Sequence, residues 1–346
     1  MRPNTLLHRR LIRGHAAAAR GQLTRSFASE PDPRISSEGA REIQDEFAQI
    51  RATYQTPKNA VVLAHGLLGF SELPLLGSLI PPIHYWRGIR EALSANHVRV
   101  ITATVPPSSS IEARAAKLHE QIAAQAPGES VNIVAHSMGG LDARYLISRL
   151  RPTEYAVKSL TTIATPHRGS AFADHVFDSL PPDLTPRLFR LCAKLGIETG
   201  AFEQLTRKYM TERFNPNVPD RAGVKYYSYG ASCRPPLWST FWASGRVIGR
   251  VEGENDGLVS VGSSMWGGAN SDGGAADGKE GRAGETGVGR AGEGYKGTLV
   301  GVSHLDLINW TNRLRWLVWQ WLGNKRTFNA VAFYLDITDM LAKEGL

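Results

Sequence analysis

Short apolar runs recur along the chain, separated by longer stretches in which apolar and polar residues alternate with helical spacing. Runs of this kind, bounded by turn residues, are typical of strands that are buried on both faces of a parallel sheet. Five of them are predicted strands, at residues 58–65, 98–105, 131–135, 157–163 and 225–230, and residues 298–302 lead to His304. Because strands alternate with helices over this length, the pattern predicts one α/β domain with a mostly parallel central sheet and helices on both faces.

The helical spacing is clearest between residues 110 and 125, where apolar side chains repeat every three or four positions: Ile111, Ala115, Leu118 and Ile122. That spacing places the four side chains on one helix face, which can then pack on the sheet. Further helices are predicted at residues 38–50, 85–93, 141–150 and 328–341. The first is expected as an exposed amphipathic helix that leads into the domain, with Ile43, Phe47 and Ile50 on one face.

Two segments interrupt the alternation of strands and helices. Residues 171–222 contain one helical face rich in apolar residues: Leu184, Leu188, Leu191, Cys192 and Leu195. This helix is either a lid whose apolar face meets lipid or an element packed permanently on the domain, and the sequence leaves both open. Residues 267–297 hold 12 of the 35 glycines and no apolar pattern, so we expect a mobile loop there.

The positive charge of the chain is concentrated at its beginning. The net charge is +8, but residues 1–29 contain six arginines and no acid, which leaves +2 for the remainder. An Arg-rich, Ser-containing segment without acids has the composition of a mitochondrial transit peptide. We therefore expect residues 1–29 to direct the protein to mitochondria, to the matrix or the inner-membrane surface, and to be removed. Residues 30–56 are expected to form a lead-in helix and residues 57–346 the α/β domain. A cytoplasmic location is the alternative.

The rest of the composition excludes several classes of protein. A balanced charge beyond residue 29 gives no basic patch for nucleic acid. No apolar run reaches the 18 or more residues of a transmembrane helix. The two cysteines, Cys192 and Cys233, do not form a disulfide framework, and no Cys/His cluster has zinc spacing. At 346 residues and 42% hydrophobic residues, the chain can build a large core.

Residues 131–141 carry the strongest chemical signal. Four strand-forming residues lead into Ala135-His136-Ser137-Met138-Gly139, and Gly140 opens a helical run. Small residues two positions before and after a serine, between a strand and a helix, form the nucleophile-elbow pattern, in which the serine hydroxyl is exposed on a sharp turn. The sequence therefore predicts Ser137 as the nucleophile.

A serine nucleophile needs a histidine base and an acid that orients it, and on this type of sheet they follow in the order serine, acid, histidine. His167 and His175 lie too close after the elbow strand to leave room for the acid, which leaves His304 as the base. Asp256, in an Asp-Gly turn after the apolar run 247–251, is the clearest acid and is expected at a strand end. Weaker candidates for the acid are Glu252, Glu254 and Asp306.

Acyl transfer also needs backbone N–H groups that stabilise the oxyanion. One is expected at Met138, directly after the nucleophile, and the other at Leu67, in the loop after the first strand. Gly66 in that loop allows the backbone to approach the substrate carbonyl closely. His65 and His136 do not fit the chain order of a base and are predicted to be structural supports.

Five motifs occur in a defined order: Ala-His-Gly-Leu-Leu-Gly-Phe at 64–70, Ala-His-Ser-Met-Gly-Gly-Leu at 135–141, Thr-Pro-His-Arg-Gly-Ser at 165–170, Asn-Asp-Gly at 255–257 and His-Leu-Asp at 304–306. Over residues 58–312 the chain thereby resembles the bacterial true lipases of the Pseudomonas–Burkholderia type and their fungal class 2 relatives. The resemblance implies an α/β-hydrolase fold, ester substrates with acyl chains and a lid within 171–222. It also implies Ser137 as nucleophile, Asp256 as acid and His304 as base.

The chain departs from these lipases around their structural calcium ion, which lies near the catalytic histidine. Asp306 matches one ligand of that ion, but Trp310 stands where the family has a glutamine, and the region around Arg234 supplies no aspartate. The family's disulfide has no counterpart here, and the Gly-rich loop is an insertion. We therefore expect no cofactor, with Asp306 as a ligand only if a calcium site is retained.

Together these features predict a serine ester hydrolase, a triacylglycerol lipase or carboxylesterase that cleaves lipid esters through an acyl-enzyme. A phospholipase or acyltransferase is an alternative, because the acyl-enzyme does not determine which nucleophile accepts the acyl group. A catalytically silent lipid-binding fold is the alternative outside the enzymes. The expected partners are the lipid ester and, transiently, a membrane or lipid-droplet surface.

Overall fold

A computed structural model of the chain describes residues 41–67, 85–179, 200–267, 294–310 and 328–346. Seven strands in these ranges form one sheet: β1 Glu42–Ile43, β2 Ala60–Ala64, β3 Val100–Ala103, β4 Ser130–His136, β5 Ala156–Ile163, β6 Lys225–Ser232 and β7 Tyr295–Val300. The strand order is β1-β7-β6-β5-β4-β2-β3, and every pairing is parallel. The carboxyl ends of the strands therefore lie at one edge of the sheet, where open α/β folds place their sites.

Burial on both faces explains why these strands are recognisable in the sequence. All five residues of β2 are buried, as are six of the seven residues of β4. The register pairs Ala64 of β2 with Ala135 of β4, so the two strands end side by side. This pairing brings the loop that follows β2 next to the turn that contains Ser137.

Helices cover both faces of the sheet, with these bounds: α1 Ile89–Ala95, α2 Ile111–Gln125, α3 Gly139–Tyr145, α4 Ala171–Asp178, α5 Gly200–Gln204, α6 Arg207–Tyr209, α7 Asn215–Asn217, α8 Trp242–Val251, α9 Val261–Ser264 and α10 Ala330–Lys343. Two π-helical turns, Leu146–Leu150 and Met210–Phe214, continue α3 and α6, and Asp306–Ile308 is a 3₁₀ turn. Helix α2 begins where the apolar spacing begins, because the Ser110 side chain accepts a hydrogen bond from the N–H of Ala113 at 3.3 Å. Helices α1 and α10 pack on one face of the sheet, and α2 and α3 pack on the other.

The lead-in helix predicted over residues 38–50 is wrong in the part that the structure describes. Glu42 and Ile43 instead form a strand that pairs with Thr298 and Leu299 of β7. Ile43 and Phe47 are buried in the core, as their apolar character requires, whereas Ile50 is 55% exposed. The open backbone groups at the edge of β7 provide partners that a short, weakly amphipathic helix does not have.

The apolar run 247–251 forms the last turns of α8 and is not a strand, so Asp256 does not follow a strand end as predicted. The reason is its helical period: Ser244, Gly245 and Ile248 are buried on one side of α8, while Arg246 and Arg250 are exposed on the other. The acid loop therefore begins from a helix that lies between β6 and β7 in the chain.

Several predicted segments lie outside the described residues. These are residues 1–29, the helix at 184–195 and residues 268–293 of the loop predicted at 267–297. The loop prediction is wrong at the end of that range, because residues 295–297 begin strand β7 and pair with β6. The predicted helix at 328–341 is observed as α10. Among the described residues, no helix has the length and apolar character that crossing a membrane requires.

Candidate active site

Ser137 occupies a strained turn between β4 and α3. Its φ is 56°, in the left-handed region that few residues other than glycine adopt. The turn is fixed by the N–H of Ser137, which donates to the carbonyl of Ile163 at 2.9 Å. A Cβ at Gly139 would lie 2.6 Å from the carbonyl oxygens of Ala64 and His65, so only glycine fits where the helix passes the neighbouring strand. This geometry is that of a nucleophile elbow.

Asp256 and His304, 48 residues apart in the sequence, are in direct contact. The Nδ1 of His304 lies 2.7 Å from Oδ2 of Asp256, and the backbone N–H of His304 donates to the carbonyl of Asp256 at 3.0 Å. The other carboxylate oxygen, Oδ1, accepts from the N–H groups of Leu258 and Val259 at 3.0 and 2.9 Å. Because a carboxylate only accepts, the proton of the imidazole lies on Nδ1, which leaves Nε2 available as a base.

His136 connects the elbow to His304. The two imidazole rings pack with their centroids 4.5 Å apart. Burial lowers the pKa of His136 well below its usual value, and the nearby His304 lowers it further. His136 is therefore neutral at physiological pH, so it does not oppose a positive charge on His304 during proton transfer.

Tyr85 joins the loop after β2 to the elbow. Its hydroxyl accepts a hydrogen bond from the N–H of Gly66 at 3.0 Å and is hydrogen-bonded to Nδ1 of His136 at 2.6 Å. A Cβ at Gly66 would lie 2.7 Å from Cβ of Ser137, which shows how closely this loop approaches the nucleophile. Sequence reasoning missed Tyr85, because nothing near it in the chain indicates a contact with His136.

The two residues predicted to supply oxyanion donors share one apolar cluster. Met138 is fully buried in an apolar cluster, and the side chain of Leu67 packs against the same cluster. The cluster also contains Ala201, Met210 and Phe214, which belong to the insertion 171–222. The described part of that insertion thus packs over both positions, and residue 67 lies one step after the loop glycine that approaches Ser137.

A buried ion pair holds the loop that follows β2. Arg114 of α2, fully buried, donates through Nη2 to the carbonyls of His65 and Gly66 at 2.8 and 3.2 Å, and pairs with Asp142 of α3 at 2.8 Å. Burial raises the pKa of the Asp142 carboxyl to about 6, although the guanidinium of Arg114 lowers it. One feature of the sequence indicates this ion pair: Arg114 lies three residues after Ile111, on the apolar face of the helix, where a charged side chain needs a buried partner.

Replacing Arg114 with leucine is expected to lower the free energy of unfolding by about 3–5 kcal/mol, because the variant leaves Asp142 buried without its partner. Urea unfolding of the variant and the wild type measures the difference. Arg149→Leu, at an exposed arginine on the turn after α3, is the matched control, and the double variant Arg114→Leu/Asp142→Leu should recover part of the loss. An equal loss in Arg149→Leu would contradict the expectation.

Removing the Tyr85 hydroxyl with Tyr85→Phe is expected to lower kcat by about 10- to 100-fold with little change in KM. The reason is that the loop predicted to present an oxyanion donor loses its hydrogen-bonded connection to the elbow. Steady-state kinetics on a soluble ester, together with thermal unfolding, separates this positioning effect from a loss of stability. Tyr155→Phe is the control, since Tyr155 is also buried and its hydroxyl also contacts a histidine, His119, at 3.2 Å. Equal kinetic effects in the two variants would refute the role of Tyr85.

The other candidates from the sequence have structural partners instead. Glu252 accepts hydrogen bonds from the N–H of Ala171 and the hydroxyl of Ser260, and its burial raises its pKa. Glu254 is exposed. His167 is buried against Thr162 and Arg144, which supports the prediction that it is not the base. Within the described part of the chain, His304 pairs with Asp256 and forms no ion pair with either glutamate.

The carboxylate of Asp306, the one predicted calcium ligand, has protein partners in the described structure. Oδ2 of Asp306 accepts from the N–H and the hydroxyl of Ser303 at 3.1 and 2.6 Å, so the carboxylate holds the turn after His304. In the described ranges no group of three or more His, Cys, Asp or Glu residues is arranged to hold a metal ion.

Comparison with known proteins agrees with this geometry. A family model described as alpha/beta hydrolase fold matches residues 59–249. Triacylglycerol lipase 2 of Saccharomyces cerevisiae is 34% identical to the chain, over 88% of this chain and 98% of that protein. The triacylglycerol lipase of Burkholderia plantarii is also 34% identical, over 38% of this chain and 36% of that protein.

Solved structures show the same fold at lower identity. The chain matches the crystal structure of Staphylococcus hyicus lipase with a TM-score of 0.58 and 20% identity, over 84% of this chain and 98% of that one. For lipase 1 from Pelosinus fermentans the TM-score is 0.56 at 19% identity, over 83% of this chain and 99% of that one. The family model spans more than half of the chain, and the yeast relative is matched along almost its whole length. This chain therefore belongs to the α/β-hydrolase family, among its lipases, and is a serine ester hydrolase.

Proposed function

We propose that the protein hydrolyses acylglycerols, with triacylglycerol as the substrate class. Two observations carry the chemical part of this proposal: His304 contacts Asp256, and its ring packs on His136, the residue directly before the strained Ser137. The similarity to yeast triacylglycerol lipase 2 over 98% of that protein supports the choice of substrate.

In the proposed mechanism, Ser137 attacks the ester carbonyl while Nε2 of His304 takes its proton. Asp256 holds the imidazole through Nδ1 and stabilises the imidazolium that forms. The N–H groups of Leu67 and Met138 donate to the oxyanion, an interaction for which the loss of one donor typically lowers the rate by about 100- to 1000-fold. His304 then protonates the leaving alcohol, and a water molecule activated by the same imidazole releases the fatty acid from Ser137.

A substrate panel tests the choice of substrate. We expect turnover of triacylglycerol emulsions to exceed turnover of phosphatidylcholine, which would be the preferred substrate of a phospholipase. Transfer of the acyl group to an added alcohol in preference to water would indicate an acyltransferase. Faster turnover of phosphatidylcholine or preferred transfer to the alcohol would each overturn the triacylglycerol proposal.

We further propose that the insertion 171–222 acts as a lid. The described flanks of the segment are attached to the domain: the side-chain amide of Asn215 donates to the carbonyl of His167 at 2.9 Å, and the N–H of Ser170 donates to the carbonyl of Leu205 at 2.9 Å. Rates on p-nitrophenyl esters of short and long acyl chains, below and above the concentration at which the substrate forms an interface, test this role. A sharp rise in rate on long chains at the interface supports a lid, and flat activity that favours short chains contradicts it.

The location in mitochondria is also a proposal. It is supported by the six arginines and the absence of acids in residues 1–29. Fusion of residues 1–29 to a fluorescent protein provides the test, with a fusion in which the six arginines are replaced by glutamine as the control. Mitochondrial fluorescence of the first fusion alone is the expected result, and diffuse cytoplasmic fluorescence of both would contradict the proposal.

A further inference from the structure

Two exposed apolar side chains lie next to each other on the loop between β6 and α8. Leu237 is 74% exposed and Trp238 is 83% exposed, more than any other large hydrophobic residue in the described ranges. Tryptophan is usually largely buried, so adjacent exposed Leu and Trp side chains form an unusual surface feature. Because the loop follows β6, it leaves the sheet at the carboxyl edge, where Ser137 follows β4.

This exposed tip is held at both ends by the loop that carries Asp256. At its beginning, the N–H of Cys233 donates to the carbonyl of Asn255 at 2.8 Å. At its end, Phe241 packs on Gly257, where a Cβ would lie 2.6 Å from the Cβ of Phe241. The hydroxyl of Ser244, in the first turn of α8, donates to the carbonyl of Gly257 at 2.6 Å. The tip is therefore fixed in position beside the catalytic edge.

Positive charge accompanies the apolar tip. Residues 233–251 contain three arginines, Arg234, Arg246 and Arg250, and no aspartate or glutamate. All three arginines are exposed, and the guanidinium of Arg246 lies 4.9 Å from the ring centroid of Trp242. The next acid along the chain, Glu252, is buried, and the exposed Glu254 lies beyond the end of α8. We call Leu237, Trp238 and the three arginines the docking surface.

The composition of the docking surface fits the boundary between lipid and water. Tryptophan and leucine side chains insert at the level of the lipid head groups, and arginines beside them contact phosphates. Cationic side chains near an anionic membrane each add to the attraction, which decreases as salt screens the charges. A flat protein partner would need a larger contiguous apolar area than these two side chains provide.

We propose that the docking surface binds the surface of an anionic phospholipid layer and thereby holds the catalytic edge against the lipid. Leu237 and Trp238 enter the interface, while Arg234, Arg246 and Arg250 contact the head-group phosphates. The use of this binding to deliver ester substrate rests on the proposed function, but the binding itself requires no turnover.

Co-sedimentation of the full chain with vesicles tests the proposal, with vesicles of phosphatidylcholine alone or mixed with phosphatidylglycerol. We expect Leu237→Ser/Trp238→Ser to bind mixed vesicles at least about tenfold more weakly than the wild type, because the apolar insertion is lost. The matched control is Ile50→Ser, at a residue that is 55% exposed and lies outside the docking surface, and it should bind like the wild type. Trp238→Ala is a second, milder variant, and thermal unfolding verifies that each variant is folded.

Replacing the charge tests the second half of the surface. Arg234→Gln/Arg246→Gln should weaken binding to the mixed vesicles and remove most of its salt dependence. Unchanged binding of Leu237→Ser/Trp238→Ser, an equal loss in Ile50→Ser, or equal binding of the wild type to both kinds of vesicle would overturn the proposal. Ser137→Ala should bind vesicles like the wild type. Failure of the proposed function would appear separately, as vesicle binding by a wild-type protein that hydrolyses no triacylglycerol.

Discussion

Ser137→Ala is expected to lower kcat for ester hydrolysis by about 10⁴-fold or more, because it removes the hydroxyl that is proposed to form the acyl-enzyme. The fold should be retained, since alanine is smaller than serine and the turn depends on the backbone hydrogen bond to Ile163 and on Gly139. Initial rates on a soluble p-nitrophenyl ester measure the loss, and circular dichroism verifies the fold.

A fluorophosphonate probe gives an independent measurement of the same prediction. The probe should label the wild type covalently and stoichiometrically, and it should not label Ser137→Ala. Ser130→Ala, at the other end of β4, is the matched control and should keep both labelling and activity. Labelling or turnover that persists in Ser137→Ala would mean that a different nucleophile performs the reaction.

Asp256→Asn is expected to have the second largest effect, a decrease in kcat of about 10⁴-fold with a similar KM. The asparagine side chain can still accept the hydrogen bonds from Leu258 and Val259, so the loop geometry should be kept. However, an amide cannot stabilise the imidazolium of His304, and it favours the tautomer in which Nε2 carries the proton and cannot act as a base. Steady-state kinetics over a range of pH measures both effects.

Glu254→Gln provides the control for Asp256→Asn. Glu254 lies two residues away and is exposed, so the substitution removes the same charge from the same loop without a contact to His304. Its activity should stay within about twofold of the wild type, as for most surface substitutions. A large loss in Glu254→Gln with little loss in Asp256→Asn would show that the acid has been misassigned.

Two buried histidines near the site make the stability of the protein depend on pH. Burial lowers the pKa of His65 to about 4, and the ring accepts from the N–H of Val105 at 3.1 Å. The pKa of His136 is lowered as well. In the folded protein both histidines have a pKa below the ordinary histidine value that they have in the unfolded chain. Their neutral forms therefore stabilise the fold at a pH above the ordinary value, and this stabilisation is lost as the pH falls through the folded-state pKa. We therefore expect acid below about pH 6 to destabilise the histidine contacts that support the loop predicted to carry an oxyanion donor.

The sequence by itself determined the features that depend on neighbouring residues. The turn around Ser137 requires small residues within two positions of the serine, so Ala135 and Gly139 identify it without any long-range information. The buried strands were equally visible, because a strand covered on both faces must be apolar at nearly every position. The order of serine, acid and histidine along the chain selected His304 and Asp256, because only a few residues satisfied it.

Only the tertiary structure decided the features that depend on partners distant in the chain. The hydroxyl of Tyr85 contacts His136 across 51 residues, and Arg114 contacts the carbonyl of His65 across 49. Ile43 belongs to a strand because the edge of β7 lies beside it, and no local pattern contains that neighbour. Exposure is also a property of the folded chain, since Trp238 reads as a core residue in the sequence. Long-range contacts form only when the chain folds. Local patterns in the sequence therefore predicted the elements and the nucleophile, but not the groups that hold them in place.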